Sequence, residues 1–186
     1  MKSGKGEKTK QLLIETASKL FLKNGYSNTG INDILHETNV SKGSFYFYFS
    51  SKKELGFEVA KYYGKVMLRD WIEPLSNNPW NVFINNMVMD IKNSVSQGNY
   101  FGCPIAVLGL EIAFIENDLS EAYSKGMCKL ISIFSNSLQI SGLTKDKADL
   151  IGRKAFAIYE GYVLYYRISK DEKSFEYMLQ DLLSLK

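Results

Sequence analysis

Residues 29–55 read TGINDILHETNVSKGSFYFYFSSKKEL, and this stretch decides the fold. Ile31, Ile34 and Leu35 fall at the three- and four-residue spacings that give a short helix one apolar face, with Thr29 placed to cap its start. After Thr38 comes Asn39, a residue that tolerates the left-handed backbone with which one helix stops and another begins at once. Val40 follows as an apolar plug for the turn, and Ser41 is placed to cap a second helix. That helix turns Phe45 and then Tyr48 or Phe49 inward and leaves Lys42, Gly43, Ser44, Tyr46 and Phe47 outside. Ser51, with Glu54 three residues later, has the form of a capping box ahead of Leu55, so a further helix starts there. Two short helices around a tight turn, followed by a longer one, are the plan of a helix-turn-helix unit whose second helix enters the major groove of DNA.

The outward residues suit that task. Glycine in the first turn of a helix costs roughly 0.8–1 kcal/mol relative to alanine, so Gly43 needs a packing reason or a close-approach reason. Lys42 and Lys52 bring positive charge, Ser44 a small donor and acceptor for a base edge, and Tyr46 a hydroxyl for a phosphate oxygen. The spacing by itself leaves a second reading open, in which FYFYF is a hinge between larger helices.

Upstream, Leu13, Ala17, Leu20 and Phe21 mark one face of a helix from about Lys8 to Lys23, closed by Asn24 and Gly25. Over residues 8–58 the chain resembles the DNA-binding segment of the TetR family of bacterial transcriptional regulators. The resemblance is carried by Phe21, Gly25 and Tyr26 in LFLKNGYSNTGI, and by Thr29, Ile31, Ile34, Val40, Ser41, Lys42, Gly43, Tyr46, Phe49, Ser51, Lys52, Glu54 and Leu55. Leu35 stands where that family usually has Ala, Asn39 where it has the turn Gly, and Phe47 and Tyr48 where it has Tyr and His. By resemblance, Thr29, Ser41, Lys42, Gly43, Ser44, Tyr46, Tyr48 and Lys52 are expected to contact DNA. Phe47 joins them with altered chemistry, since it donates no hydrogen bond but can meet a thymine methyl.

Charge supports this division. Residues 1–55 hold nine Lys and five acidic residues, net +4, whereas residues 56–186 hold 14 basic and 15 acidic residues, net −1. The basic amino end, KSGKGEKTK, reads as a solvated tail that adds salt-sensitive phosphate contacts. With 186 residues and 45% hydrophobic composition, the chain suits a small reader, residues 1–55, and a larger domain, residues 56–186. No apolar run approaches the ~18 residues of a membrane span, and Glu15 and Lys19 interrupt any signal-peptide core, so a cytoplasmic protein without membrane contact is expected. The single histidine, His36, falls on a short helix of the reader, where a solvent-facing place or a phosphate neighbourhood is expected rather than a catalytic triad, and one histidine excludes a two-His metal site within one chain. No phosphate-binding glycine loop or paired-Cys metal motif appears, so neither an enzyme nor a cofactor or metal is expected.

After Leu55 the pattern is helical, broken at Pro74–Pro79, Gly98–Pro104, Glu116–Asp118, Ser141–Thr144 and Ser169–Asp171. The helices fall near 52–72, 79–97, 104–115, 118–140, 144–168 and 172–185, making nine helices in an all-α protein. The resemblance implies that the carboxyl-terminal domain holds a ligand pocket and a dimer surface. On the helix near 144–168, Ile151, Ala155, Ile158, Tyr162 and Tyr165 form one apolar stripe and Phe156, Tyr159, Val163 and Tyr166 another. One is expected to face the bundle and the other a second copy, with Gly152 and Gly161 allowing close crossing and Phe175, Met178, Leu179 and Leu182 adding a further stripe. A central helix in a monomeric bundle is the alternative.

Phe83, Met87, Tyr123, Met127 and Phe134 are candidates to line the pocket, against the plainer reading of core. Glu111, the one charge in CPIAVLGLEIAFI, needs a partner if it faces inward, with Arg153, Arg167 or a cationic ligand as candidates. Glu160, Arg153 and Arg167 read as a solvated or intersubunit strip. Cys103, between Gly102 and Pro104, is read either as a buried thiol like Cys128 or as a sensor of electrophiles or oxidants. The resulting expectation is a homodimeric repressor that binds a palindromic operator in double-stranded DNA and is released by a small molecule. An activator, or a helical binding protein or enzyme whose basic end is incidental, stands as the alternative.

Overall fold

The computed structural model describes residues 5–66 and 77–186, with helices and no strand among them. Nine helices are formed by these residues: α1 Lys5–Asn24, α2 Ile31–Thr38, α3 Lys42–Tyr48, α4 Lys52–Val66, α5 Trp80–Ser96, α6 Pro104–Ile112, α7 Asn117–Ile140, α8 Lys145–Ser169 and α9 Lys173–Leu183. The expected end of the fourth helix at residue 72 and the break from Pro74 lie largely outside the described residues. Helix α1 begins at Lys5, so part of the stretch expected as a solvated tail is helical. Helix α6 stops three residues earlier than expected, where the Ile112 carbonyl accepts both the Ile115 and the Glu116 N–H at 3.0 Å.

The described residues form two compact units. One consists of the chain up to Lys65 together with Pro104–Gly126; the other consists of Val66–Cys103 together with Met127–Lys186. In the first, Leu13, Ala17 and Phe21 of α1, Ile34 of α2, Phe45 of α3 and Leu55 and Val59 of α4 are buried. Tyr26 packs edge-on to Phe21 at 5.1 Å, and the Tyr63 hydroxyl donates to the Ser18 carbonyl at 2.7 Å. Gly56 permits a close approach, since a Cβ there would lie 2.9 Å from Leu119.

In the second unit, α5, α8, α9 and the later part of α7 share an aromatic core. Phe134 lies 5.5 Å from Phe83, 6.1 Å from Trp80 and 6.0 Å from Tyr159. Trp80 also ties the ends together, its indole N–H donating to the Leu182 carbonyl at 3.0 Å and its backbone N–H to the Ser141 hydroxyl at 2.6 Å. Gly152 of α8 is spent inside this unit, because a Cβ there would come within 3.0 Å of the Ser135 amide nitrogen.

Candidate nucleic-acid interface

The turn between α2 and α3 forms as the residue types dictate. Asn39 closes α2 in the left-handed region at φ 53°, and Ser41 caps α3 by accepting the Ser44 N–H at 3.2 Å. At the start of α2 the cap is Gly30 rather than Thr29, and the Gly30 N–H donates to the Asp33 carboxylate at 2.7 Å. Ser51 caps α4 through the Glu54 N–H at 3.1 Å, while the Glu54 carboxylate reaches back to Ser50, accepting from its N–H at 2.6 Å and its hydroxyl at 2.7 Å. Those bonds hold the Glu54 carboxyl below its usual range.

Helix α3 is anchored by Phe45 and Phe49, both buried, with ring centroids 5.6 Å apart. Its other faces are open. Ser41, Lys42 and Gly43 are exposed, Ser44 is half-buried with its hydroxyl 2.9 Å from that of Ser41, and Tyr46 is exposed. Phe47 is 81% exposed, a large apolar side chain that the fold does not use. Tyr48 is half-buried, with its hydroxyl beside Gly6 of α1. A Cβ built on Gly43 meets nothing within 4 Å, so packing within the chain does not require glycine there and the close-approach explanation remains.

Two residues expected to touch DNA with their side chains are turned inward. Thr29 is 1% exposed and its hydroxyl donates to the Gly25 carbonyl at 2.8 Å. The Lys52 ammonium donates to the carbonyls of Tyr26 at 3.0 Å and Thr29 at 3.2 Å and lies 4.4 Å from the centroid of the Tyr26 ring. These two side chains brace the turn between α1 and α2. The other face of that turn is held by Glu111 of α6, whose carboxylate accepts the Tyr26 N–H at 2.8 Å and the Ser27 N–H at 2.7 Å. Glu111 therefore pairs with backbone rather than with Arg153 or Arg167. Its isolation in an apolar segment was visible in the sequence; its partners, 84 and 85 residues away, were not. Lys53 pairs with Glu116 at 2.9 Å and Asp118 at 2.7 Å, which pushes its ammonium up to about 12 and holds the Asp118 carboxyl down.

The residues expected around a small-molecule pocket do not share one unit. Phe83, Met87 and Phe134 are buried in the second unit with Met127 half-buried, whereas Glu111 and the buried Tyr123 belong to the first. A polar cluster lies in the second unit, around Tyr100, Cys103, Tyr159 and Glu160, residues that the sequence did not bring together. Glu160 was read as part of a solvated strip; instead its Oε1 is buried without a partner, and burial pushes its carboxyl up to about 7.

Of the residues expected to face a second copy, Ala155, Phe175, Met178 and Leu182 are fully buried in the chain's own core. Ile151, Ile158, Tyr162 and Leu179 are half-buried, with the Tyr162 hydroxyl donating to Asp181 at 2.6 Å. Tyr165 is exposed beside Leu164 and Ile168, and Gly161 opens the same face. The buried stripe is Phe156, Tyr159, Val163 and Tyr166, so the apolar outer face of α8 is centred slightly around the helix from the expected one.

Comparison with known proteins agrees with this layout. Residues 13–59 match bacterial regulatory proteins of the tetR family, and residues 81–180 match the carboxyl-terminal domain of LmrA/YxaF-like transcriptional regulators. The chain is 28% identical over 171 residues to the uncharacterized HTH-type transcriptional regulator YxaF of Bacillus subtilis, covering 88% of this chain and 87% of YxaF. It is 26% identical over 135 residues to the HTH-type transcriptional repressor NemR of Escherichia coli, covering 70% of this chain and 67% of NemR. The crystal structure of E. coli NemR in its reduced form superposes with a TM-score of 0.80 at 22% identity, over 95% of this chain and 96% of that one. A TetR-family regulator from Agrobacterium tumefaciens superposes with a TM-score of 0.84 at 17% identity, over 96% and 97% of the two chains.

Proposed function

This chain belongs to the TetR family of bacterial transcriptional regulators, and from that membership we propose that it is a ligand-responsive repressor that binds a palindromic operator as a homodimer. The observation that carries the reading is the outer face of α3, where Lys42, Gly43, Ser44, Tyr46 and Phe47 stand clear of a helix pinned by Phe45 and Phe49. Lys42 and Tyr46 take phosphate, Ser44 a base edge, Phe47 a thymine methyl, and bare backbone at Gly43 lets the helix approach. Ser41 and Tyr48 flank this face. Thr29 and Lys52 act through the backbone turn they hold.

So short a helix reads few bases, and two copies about one helical turn of DNA apart supply the remaining affinity. The exposed apolar face of α8, with Gly161, Leu164, Tyr165 and Ile168, supports pairing of two chains. Repression is inferred from the likeness to NemR, a transcriptional repressor of E. coli. The small molecule acts by preferring one separation of the two readers, and residues 56–186 receive it while residues 1–55 read DNA. No metal or cofactor takes part in this reading, and no helix of the described residues is long and apolar enough to cross a membrane. The protein works in the cytoplasm, where operator DNA lies.

Selection of bound DNA from a random pool tests the reading. Two inverted half-sites are expected; a half-site without symmetry removes the homodimer, and salt-insensitive, sequence-indifferent binding removes the regulator. Deletion of the gene should raise transcription beside the selected site, and a fall would make the protein an activator. Sensing of oxidants or electrophiles through Cys103 is a second reading, supported by the likeness to a NemR structure described as reduced. It is the weaker one, because Cys103 is buried and its thiol interacts with a carboxyl rather than a cation that would favour the thiolate.

A further inference from the structure

Residues 97–103 connect α5 to α6 and turn through Gly98 at φ 69° and Gly102 at φ 97°. Between them Tyr100 tucks its ring in, 5.9 Å from Tyr166 of α8 and 6.0 Å from Phe175 of α9. The Cys103 thiol donates to the carboxyl of Glu160, and the fully covered Tyr159 interacts electrostatically with Tyr100, Cys103 and Glu160 alike. Among the described residues Glu160 Oε1 is buried with no hydrogen-bond partner, and Tyr100 Oη, also buried, faces the Tyr159 hydroxyl without forming a well-aligned hydrogen bond. Buried polar groups are nearly always paired, and a carboxylate held out of water without a countercharge is the costlier kind of exception. Among the described residues, Arg167 donates to the Phe101 carbonyl and Lys170 lies 5.7 Å from the centroid of the Tyr166 ring, so these two cations are engaged with other groups. Tyr100 and Glu160 are themselves only half-buried, so the cluster reaches the protein surface at these two residues.

We propose that this cluster recognises a small protonated amine, whose ammonium group donates to both Glu160 Oε1 and Tyr100 Oη. One ammonium carries three donors, so a single ligand group pairs the orphaned Glu160 oxygen, reaches the remaining acceptor capacity of Tyr100 Oη and supplies the missing charge. The Tyr100, Tyr159 and Tyr166 rings add faces attractive to a cation. A neutral alcohol offers a hydrogen bond but leaves the charge unbalanced. With its carboxyl near 7, Glu160 is mostly ionised at about pH 8, the form an ammonium pairs with. The inference rests on the reading that residues 56–186 receive a small molecule, and it specifies the chemistry of that molecule.

Calorimetric titration of the full chain at about pH 8 with phenethylamine and with its neutral counterpart 2-phenylethanol tests it. The amine is expected to bind at least roughly tenfold more tightly. Glu160→Gln, which keeps shape and removes charge, should bring the ratio to about one, while Tyr100→Phe should weaken amine binding severalfold and keep the preference. Equal affinity for both probes, binding of neither, or an undiminished preference in folded Glu160→Gln would overturn the proposal. Operator band shifts on the same samples separate it from the broader reading. Glu160-dependent amine binding that leaves operator affinity unchanged sinks induction by this ligand and keeps the site. Operator release by the amine that ignores Glu160 sinks the site and keeps induction.

Discussion

The outer face of α3 and the Tyr100–Glu160 cluster treat polar groups in opposite ways. On α3 the buried side chains are phenyl rings, and the groups proposed to bind, Lys42, Ser44 and Tyr46, are exposed or partly exposed. Around Glu160 one carboxyl oxygen is covered and unpaired, beside a covered phenol. A polyanion brings its own charge and hydration to an open surface, so a reader needs reach and a rigid base. A small ligand has to be singled out from water, and an unpaired buried acceptor does that because anything unable to donate leaves the cost in place. The two regions thus place their stability costs differently, which gives ways to break the comparison.

The largest effect is expected at the base of the reader. Phe45→Ala should cost about 3–5 kcal/mol and abolish operator binding, read by thermal melting and band shift, because the ring is fully buried beneath α3. Operator binding that survives in a folded Phe45→Ala protein would detach α3 from DNA reading. Next comes Glu160, whose carboxyl lies near 7 in the folded chain against 4.5 ordinarily. Between those values the folded state holds a proton that the unfolded state has released, so stability falls as pH rises through that window. Glu160→Gln removes this loss, and its advantage over the native chain should be near zero at pH 4.5 and grow to at most about 3 kcal/mol above pH 7. A pH-independent offset between the two melting curves would mean that the carboxyl is not desolvated.

Smaller effects separate contact types on α3. Lys42→Ala should weaken binding about tenfold across all sequences and lower the slope of log affinity against log salt by about 1. Gly43→Ala should raise stability by up to about 1 kcal/mol, since open space surrounds the new methyl, yet weaken operator binding. Improved stability with intact binding would remove the close-approach role. Finally, Tyr46→Phe should reduce affinity without changing sequence preference, whereas Ser44→Ala should change preference; a swap of these outcomes reverses the assignments of phosphate and base contact.

Much of the reader was legible because its signals are local. Asn39 at the left-handed stop and Ser41 at the cap act within four residues of their own positions, and both behave as the sequence indicates. The inward turn of Lys52 was not legible. A lysine at the start of a helix beside a DNA reader suggests phosphate, but here two carbonyls and a tyrosine ring from the preceding turn claim the ammonium. The stripes of α8 were legible as two apolar faces. Which one the core would take was not, and the core took the side of Tyr159 and Val163 together with Ala155.

Short-range patterns in the amino acids thus determined that the chain is helical, where its turns fall and which short helix presents Lys42 and Tyr46, because capping, backbone preference and apolar period act over a few residues. Only the tertiary structure decided what the lone charges meet. Glu111 reached across 85 residues to the Tyr26 amide, while Glu160 kept one oxygen with no partner. Such pairings depend on which surfaces meet once the helices pack, and periodicity along one helix carries no information about the residue lying across from it.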